Sequence, residues 1–203
     1  AQIVRRAGAV WVWSRGEELV TDRFPELASA ALQGLPDGTV MDGEILVWLP
    51  DEPQPRPFAD LQKRLGRKTL GQKLLRELPV VLVAYDLLEH AGQDLRQEPQ
   101  QARRALLEAT LQRPDNTTIA PAPHKTLHLS ELLHSADWPD LARQREAARS
   151  MGTEGFMLKH RSAQYGVGRT KDLGVWWKWK IDPMSVDAVL IYAQRGHGRR
   201  ASL

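Results

Sequence analysis

Residues 153–183 concentrate the side chains that are best suited to chemistry. Glu154 offers a hard carboxylate oxygen of the kind that magnesium takes beside phosphates. Lys178 and Lys180 stand two positions apart, so on a strand both ammonium groups point to one face and can neutralise a transferring phosphoryl group. Strict alternation places Glu154 and Lys159 on opposite faces, so both serve one site only if the strand bends or Glu154 precedes it. The pattern favours a site for a nucleotide phosphate and its metal.

The two lysines also have a purely structural explanation. Lysines at alternating positions protect an exposed edge strand from pairing with other chains. Trp176 shares the face of the two lysines, whereas Trp177 and Trp179 take the other face. So much aromatic area is usually packed inside a protein, which makes the edge-strand explanation less attractive without excluding it.

The first half of the chain supplies four further candidates. Asp42 and Glu44 stand at i and i+2 of a predicted strand, so both carboxylates point to one face, which is costly unless they bind something. A strand end with a solvated Glu44 is the competing explanation. Tyr85 at the end of a buried strand could stack on a purine base, and Arg15 on a turn could grip a phosphate. A plain core tyrosine and a solvated turn are the commoner cases.

Apolar periodicity predicts strands and helices in mixed order, which indicates an α+β domain built on antiparallel sheets. In the predicted helix 98–111, Arg103 and Arg104 are assigned to the solvent-facing side. The other predicted elements are a hairpin over 2–20 and helices over 24–33, 58–65, 69–78 and 129–150, the last with a break near residues 135–137. Strands are predicted over 39–49, 79–88, from 119, and over 153–160, 174–181 and 184–192.

Length and composition exclude several classes of protein. A chain of 203 residues allows one sizeable core and the start of a second domain. The absence of cysteine excludes disulfides and cysteine-bound zinc, and it suits an intracellular protein. No apolar run approaches the roughly 20 residues of a membrane span. The net charge of +3 is compatible with a nucleic-acid partner but does not indicate one by itself.

Five motifs follow one another along the chain: Ser14-Arg15…Glu17, Asp42-Gly43-Glu44, Tyr85-Asp86-Leu87-Leu88, Glu154-Gly155-Phe156-Met157-Leu158-Lys159 and Trp176-Trp177-Lys178-Trp179-Lys180. In this order and spacing they resemble the adenylation domain of ATP-dependent DNA ligases, most closely the bacterial ones. The resemblance covers nearly the whole chain. It implies an ATP-grasp-like nucleotidyltransferase domain of antiparallel sheets flanked by helices.

The resemblance implies which residues bind ATP. Arg15 matches the family's arginine that contacts a phosphate near the nick or the nucleotide. Glu44 matches the acidic residue that bonds the ribose hydroxyls, and Tyr85 matches the aromatic side chain that stacks on adenine. Trp176 packs near the base, and Lys159, which closes the fourth motif, is also assigned to the nucleotide.

The same resemblance implies which residues assist the chemistry. Glu154 matches the carboxylate that organises Mg²⁺, with Glu44 as a second candidate ligand of the metal. Lys178 and Lys180 match the lysines that touch the AMP phosphate. In the family, a lysine attacks the α-phosphate of ATP, AMP passes to the 5′-phosphate of a nick, and the 3′-hydroxyl then displaces it.

Two of the family's motifs are not found in this sequence. The first, lysine-any-aspartate-glycine-any-arginine, should lie immediately before Ala1, and no lysine occurs before Lys63. The chain is therefore expected to start after its nucleophile and to be unable to adenylate itself. The last motif belongs to an OB-fold domain. Residues 1–183 are expected to form an incomplete adenylation domain, and residues 184–203 to contain only the first strand of that OB-fold domain.

Two alternatives to a DNA ligase remain open at this point. RNA ligases and mRNA capping enzymes share the fold and the lysyl-nucleotide chemistry. A non-catalytic module that binds nucleotide or DNA would also explain the missing lysine motif. For a DNA ligase we expect a monomer in the cytoplasm, associated with the nucleoid and not with membranes. It would act on nicked double-stranded DNA in replication, repair and recombination.

Overall fold

The computed structural model of the protein describes residues 1–67, 69–111, 126–166, 175–182 and 187–192. Strands and helices follow one another in mixed order over these ranges, which confirms the predicted α+β class. The strands are β1 (Gln2–Arg6), β2 (Ala9–Trp13), β3 (Thr39–Val47), β4 (Val80–His90), β5 (Gln93–Asp94), β6 (Leu127–Leu129), β7 (Gly155–Lys159) and β8 (Trp176–Lys180). The helices are α1 (Pro25–Gly34), α2 (Phe58–Leu65), α3 (Gln72–Glu77), α4 (Gln100–Leu111) and α5 (Trp138–Ala147).

A six-stranded main sheet has the order β2-β1-β3-β4-β5, with β6 beside β4. The predicted hairpin is formed by β1 and β2 and turns at Ala7-Gly8, where both residues have positive φ. The pairs along this order are antiparallel, whereas β6 runs parallel to β4. The main sheet is therefore antiparallel apart from this short sixth strand.

Helices α1, α2 and α4 pack against the main sheet and close the hydrophobic core with it. Ile3, Met41 and Leu82 from the strands are fully buried there, together with Leu27 of α1 and Leu107 of α4. Full burial of one such side chain contributes about 2 kcal/mol. Within the described ranges, no helix is both long and apolar enough to cross a bilayer.

Strands β7 and β8 form a separate two-stranded small sheet. Trp179 of β8 lies edge-on to Trp138 of α5, with 5.8 Å between the ring centroids, and the Arg145 guanidinium of α5 lies 4.9 Å from its ring. Helix α5 therefore covers the face of the small sheet that carries Trp179. The opposite face, which carries Trp176, is called the inner face below because it contacts β4 of the main sheet.

The predicted helix over residues 129–150 is wrong in its first half. Leu129 ends strand β6, and α5 begins only at Trp138. The Asp137 side chain accepts a hydrogen bond from the Asp140 backbone N–H, and Pro139 occupies the first turn. The signals near residue 137 thus mark a helix start and not a break within a longer helix.

The strand predicted over residues 184–192 is not formed in its described part, residues 187–192. The side chains of Val189, Leu190, Ile191 and Tyr192 are largely exposed there. That this segment begins an OB-fold domain stays a prediction. The strand predicted from residue 119 lies outside the described residues.

Candidate functional site

The ammonium group of Lys159 joins the two sheets. It lies 4.1 Å from the ring centroid of Trp176 on β8 and 4.9 Å from that of Tyr85 on β4. It also donates hydrogen bonds of 3.4 Å to the Tyr85 carbonyl and to Oδ2 of Asp86. The structure thus brings together three residues that the sequence assigned to the nucleotide, Tyr85 and Trp176 to its base, although 91 positions separate these two rings.

Glu44 and Arg15 lie close to Tyr85, as the sequence predicted for one nucleotide site. Both side chains are exposed. Burial raises the pKa of the Tyr85 phenol to about 12, with the carboxylates of Asp42 and Glu44 adding to the rise and Arg15 opposing it. The phenol is therefore neutral at physiological pH, and acidic and basic groups are both within electrostatic range of the ring.

Lys178 and Lys180 follow Trp176 along the inner face of the small sheet, because alternate residues of a strand share one face. Directly opposite them on β7 stand Met157 and Gly155. Both lysine side chains are exposed to solvent. The inner face thus presents an aromatic ring followed by two cations, as the sequence predicted, and the partly exposed Trp177 lies on the other face.

The predicted conflict between Glu154 and Lys159 is resolved by the position of Glu154 before β7. Gly155 opens the strand with φ +118°, a conformation that favours glycine. A Cβ atom at Gly155 would stand 2.3 Å from the Trp179 carbonyl oxygen. The Glu154 carboxylate accepts a 2.9 Å hydrogen bond from Lys180, which lowers the pKa of Glu154. Glu154 and Lys159 can therefore both contribute to a site on the inner face.

Asp42 is buried and does not share the exposure of Glu44, although the sequence placed both carboxylates on one face. Strand β3 shifts register between Asp42 and Gly43, which disturbs strict alternation. Asp42 accepts hydrogen bonds from Gln2 and from the phenol of Tyr165. The carboxylate of Asp42 is therefore bound to groups of the protein itself, whereas that of Glu44 is available to a ligand.

Tyr165 is a residue of the site that the sequence analysis missed. Its ring lies edge-on to Trp176 with 5.8 Å between centroids, and its phenol donates a short hydrogen bond to Asp42. Burial and the Asp42 carboxylate raise the pKa of Tyr165 above its usual range. A large aromatic residue within a polar loop was the one signal that could have marked it.

The prediction that Arg103 lies on the solvent-facing side of α4 is wrong. Its side chain is fully buried, and Nε and Nη2 donate to the two carboxylate oxygens of Asp86 at 2.8 and 3.1 Å. Arg104, its neighbour, is partly buried and pairs with Glu108. Arg103 lies one turn before Leu107 and therefore on the buried side of the helix. Its carboxylate partner lies 17 positions away in the sequence, so no local pattern indicates that a buried arginine is compensated there.

A magnesium ion fits this site only together with a ligand. Glu154 and Glu44 are exposed carboxylates, and the described residues contain no group of three or more acidic or histidine side chains that could hold a metal by themselves. Magnesium characteristically keeps several waters and takes one or two carboxylates beside substrate phosphates. The donor set therefore suits a metal that enters with a nucleotide.

A cleft of about 560 Å³ lies elsewhere, next to helices α2 and α3. Its lining includes Arg56, Lys63, Arg67 and Glu77 and none of the residues predicted for the nucleotide. Two of its charged residues are already paired, Lys63 with Asp60 and Arg56 with Glu52. The size of this cleft is therefore not a reason to move the candidate site away from the inner face of the small sheet.

Comparison with known proteins decides the family. The family model described as "ATP dependent DNA ligase domain" matches residues 1–180, which include all five motifs and both sheets. The chain belongs to the ATP-dependent DNA ligase family. This membership confirms the resemblance read from the motifs, and the RNA ligase and capping-enzyme alternatives lose their support.

Individual relatives agree with this family. A probable DNA ligase of Opitutus terrae is 36% identical over 98% of this ligase-family chain, and one of Koribacter versatilis is 35% identical over 96%. The chain spans only 21% and 35% of the length of these two relatives. Among solved structures, mycobacterial DNA ligase D complexed with ATP and MES aligns over 88% of the chain and 50% of its own length, with 28% identity and a TM-score of 0.63.

Proposed function

We propose that this chain forms the nucleotide-binding part of an ATP-dependent DNA ligase that seals nicks in duplex DNA. The observation that carries the proposal is the row of side chains on the inner face of the small sheet. Trp176 lies near Tyr85, and Lys178, Lys180 and Glu154 continue from it. An aromatic end and a cationic end, joined on one surface, match the two ends of a nucleotide.

The aromatic end binds the adenine base. Tyr85 supplies a neutral ring for stacking, and Trp176 stands on the other side of Lys159. Glu44, exposed on the neighbouring strand β3, accepts hydrogen bonds from the ribose hydroxyls. Arg15 contacts a phosphate of the nucleotide or of the nick.

The cationic end binds the phosphate that is transferred. Lys178 and Lys180 are exposed ammonium groups on one face, so both can reach the same phosphate oxygens and neutralise charge that develops there. Mg²⁺, when bound, supplies a Lewis acid for the phosphate oxygens, and Glu154 with Glu44 would hold it. Because Glu154 is paired with Lys180, a phosphate that takes Lys180 also frees this carboxylate.

The covalent steps require a lysine in the family's first motif, which this sequence does not contain. In the proposed reaction a lysine of that motif attacks the α-phosphate of ATP, pyrophosphate leaves, and AMP then passes to the 5′-phosphate of the nick. We further propose an enzyme that works as a monomer on nicked duplex DNA in the cytoplasm, at the nucleoid, in repair, replication and recombination. Residues 184–203 would lead into its OB-fold domain.

Sealing of a nicked, 5′-phosphorylated DNA duplex by the complete gene product tests this function. Sealing that requires ATP and Mg²⁺, and that is lost when Lys178 and Lys180 are both replaced by Met, is the expected result. A variant with Lys73→Met serves as the control, because Lys73 is an exposed lysine on α3.

Other outcomes of the same assay identify the alternatives. Preferential sealing of a nicked RNA duplex would replace the DNA substrate by RNA. Binding of ATP or nicked DNA without any sealing by the complete gene product would indicate a non-catalytic module. Either result would overturn the proposed activity.

A further inference from the structure

We propose that Arg103 of α4 is a positioning residue for the nucleotide site, which acts through Asp86 on Lys159. This inference rests on the proposed function, because it concerns the same aromatic end. Arg103 does not touch the surface that would receive the base. Its influence passes through one carboxylate to the ammonium group that stands between Tyr85 and Trp176.

The guanidinium of Arg103 is held from several sides in a fully buried position. Nε and Nη2 grip both carboxylate oxygens of Asp86, and Nη2 also donates to Oε1 of Gln100 at 2.7 Å. Nη1 donates to the carbonyl oxygens of Glu98 and Ala163, at 2.6 and 3.1 Å. These contacts tie α4 to the main sheet and to the segment that follows β7. A planar, five-donor group is needed to make them all, which a lysine cannot supply.

Asp86 passes this constraint to Lys159. The carboxylate is fully buried, and its Oδ1 also accepts the Leu87 backbone N–H at 2.9 Å. Its Oδ2 is shared between Arg103 at 3.1 Å and Lys159 at 3.4 Å. The longer contact leaves the ammonium over the two rings and not fully on the carboxylate. Arg103 thus sets how strongly Asp86 draws Lys159 away from Trp176.

The charges around Lys159 make this balance measurable. Burial lowers the pKa of its ammonium group, and Arg103 acts in the same direction, whereas Asp86 and Asp42 oppose them. Tyr85 and Tyr165 also face the site with neutral phenols of raised pKa. Lys159 should therefore lose its proton at a lower pH than an ordinary lysine, and the cation–π contacts with both rings would be lost with that proton.

Binding of ATP to the 203-residue polypeptide, measured by titration calorimetry from about pH 7 to about pH 10, tests the proposal. The variants are Arg103→Met, Arg103→Lys and Lys159→Arg, with Arg104→Met as the matched control on the same helix. In the unsubstituted protein the affinity should fall at an alkaline inflection. Lys159→Arg should abolish that inflection, because a guanidinium stays charged throughout this range.

Arg103→Met should raise the Kd for ATP about tenfold, as expected for one disturbed charge-assisted contact. It should also move the inflection to higher pH, because Lys159 then becomes the main cation of Asp86. Arg103→Lys keeps a cation beside Asp86 but not the five-donor geometry, so it should recover only part of the affinity. Arg104→Met should change neither quantity. A shift of the inflection is not expected from a residue that only stabilises the fold.

Equal Kd values and inflections for Arg103→Met and Arg104→Met would overturn the proposal. If Arg103→Met does not fold, Arg103→Lys and Lys159→Met decide, since a Kd at about pH 7 that is unchanged from the unsubstituted protein in either variant would also overturn the proposal. If the unsubstituted polypeptide binds no ATP, the proposed function itself fails. Binding by the unsubstituted protein with insensitive variants refutes only the role of Arg103.

Discussion

The Nζ atom of Lys180 lies 2.9 Å from Oε2 of Glu154, so the small sheet brings together two side chains that are 26 positions apart in the sequence. Both side chains are more than half exposed, so the ion pair contributes little to stability. Its position suggests a different use. A phosphate can take the ammonium group and a cation can take the carboxylate, at the two ends of one short bridge.

Replacing Glu154 by Gln should increase the concentration of Mg²⁺ needed for half-maximal ATP binding. The amide cannot ligate the metal as a charged carboxylate does. The stability of the fold should hardly change, because both members of the pair are exposed. Titration of Mg²⁺ at fixed ATP checks this, with Glu146→Gln on α5 as the control. Identical Mg²⁺ curves for the two variants would remove Glu154 from the site.

Replacing Lys178 or Lys180 by Met should weaken the binding of ATP about tenfold for each lost contact to a phosphate, and should leave the binding of adenosine unchanged. The side chains are exposed, so neither change should disturb the fold. Calorimetric titrations with ATP and with adenosine measure the difference, and Lys73→Met should match the unsubstituted protein. Equal losses for both ligands would contradict a phosphate-binding role.

Replacing Tyr85 by Leu should weaken ATP and adenosine binding equally, by about tenfold, because base stacking on an aromatic ring is lost. Tyr85→Phe keeps the ring and should bind both ligands almost normally. Calorimetric titration of both ligands into both variants checks this prediction. Normal adenosine binding by Tyr85→Leu would mean that the base stacks elsewhere.

Tyr85 should also make the fold sensitive to alkaline pH. Its pKa is about 12 in the folded protein against 10.0 ordinarily, so the neutral phenol is the form that folding favours. Its contribution to stability is complete below pH 10 and falls as the pH rises from about 10 to about 12, where only the unfolded chain releases the proton. In urea unfolding, the free energy of unfolding should fall less between about pH 10 and about pH 12 for Tyr85→Phe than for the unsubstituted protein. If Tyr192→Phe, at an exposed site, reduces this fall by the same amount, Tyr85 is not its origin.

Replacing Gly155 by Ala should destabilise the protein by about 2 kcal/mol or more, because the added Cβ meets the Trp179 carbonyl oxygen at 2.3 Å in a strained positive-φ conformation. The same change at Gly71 is the control, since a Cβ there has no neighbour within 4 Å and φ is negative. Thermal unfolding compares the two variants. Equal midpoints would mean that β7 can start without a glycine.

The sequence predicted most of the fold because strong local patterns coincide with the elements that form. Alternation predicted β3, β4, β7 and β8, and helical spacing predicted α1, α2 and α4, with bounds that shifted by a few residues. Strand β6 was missed because its three residues are stabilised by parallel pairing with β4, a partner more than 40 positions away. No local pattern carries that information.

The residues of the candidate site could be named from the sequence where they belong to a family motif, and less well where they meet across the fold. Tyr85, Trp176, Lys178 and Lys180 were named from their types and order. The buried pair of Arg103 and Asp86 was missed because an arginine next to another arginine on a helix is normally solvated. The role of Tyr165 depends on Asp42, which lies 123 positions earlier.

A crystal structure of the protein with bound ATP would test the central claim most directly. We predict the adenine ring against Tyr85 and the α-phosphate within hydrogen-bond reach of Lys178 and Lys180. Glu154 should then be released from Lys180 and turned towards the phosphates. ATP bound in the cleft beside α2 and α3, with the Lys180–Glu154 pair intact, would contradict the account.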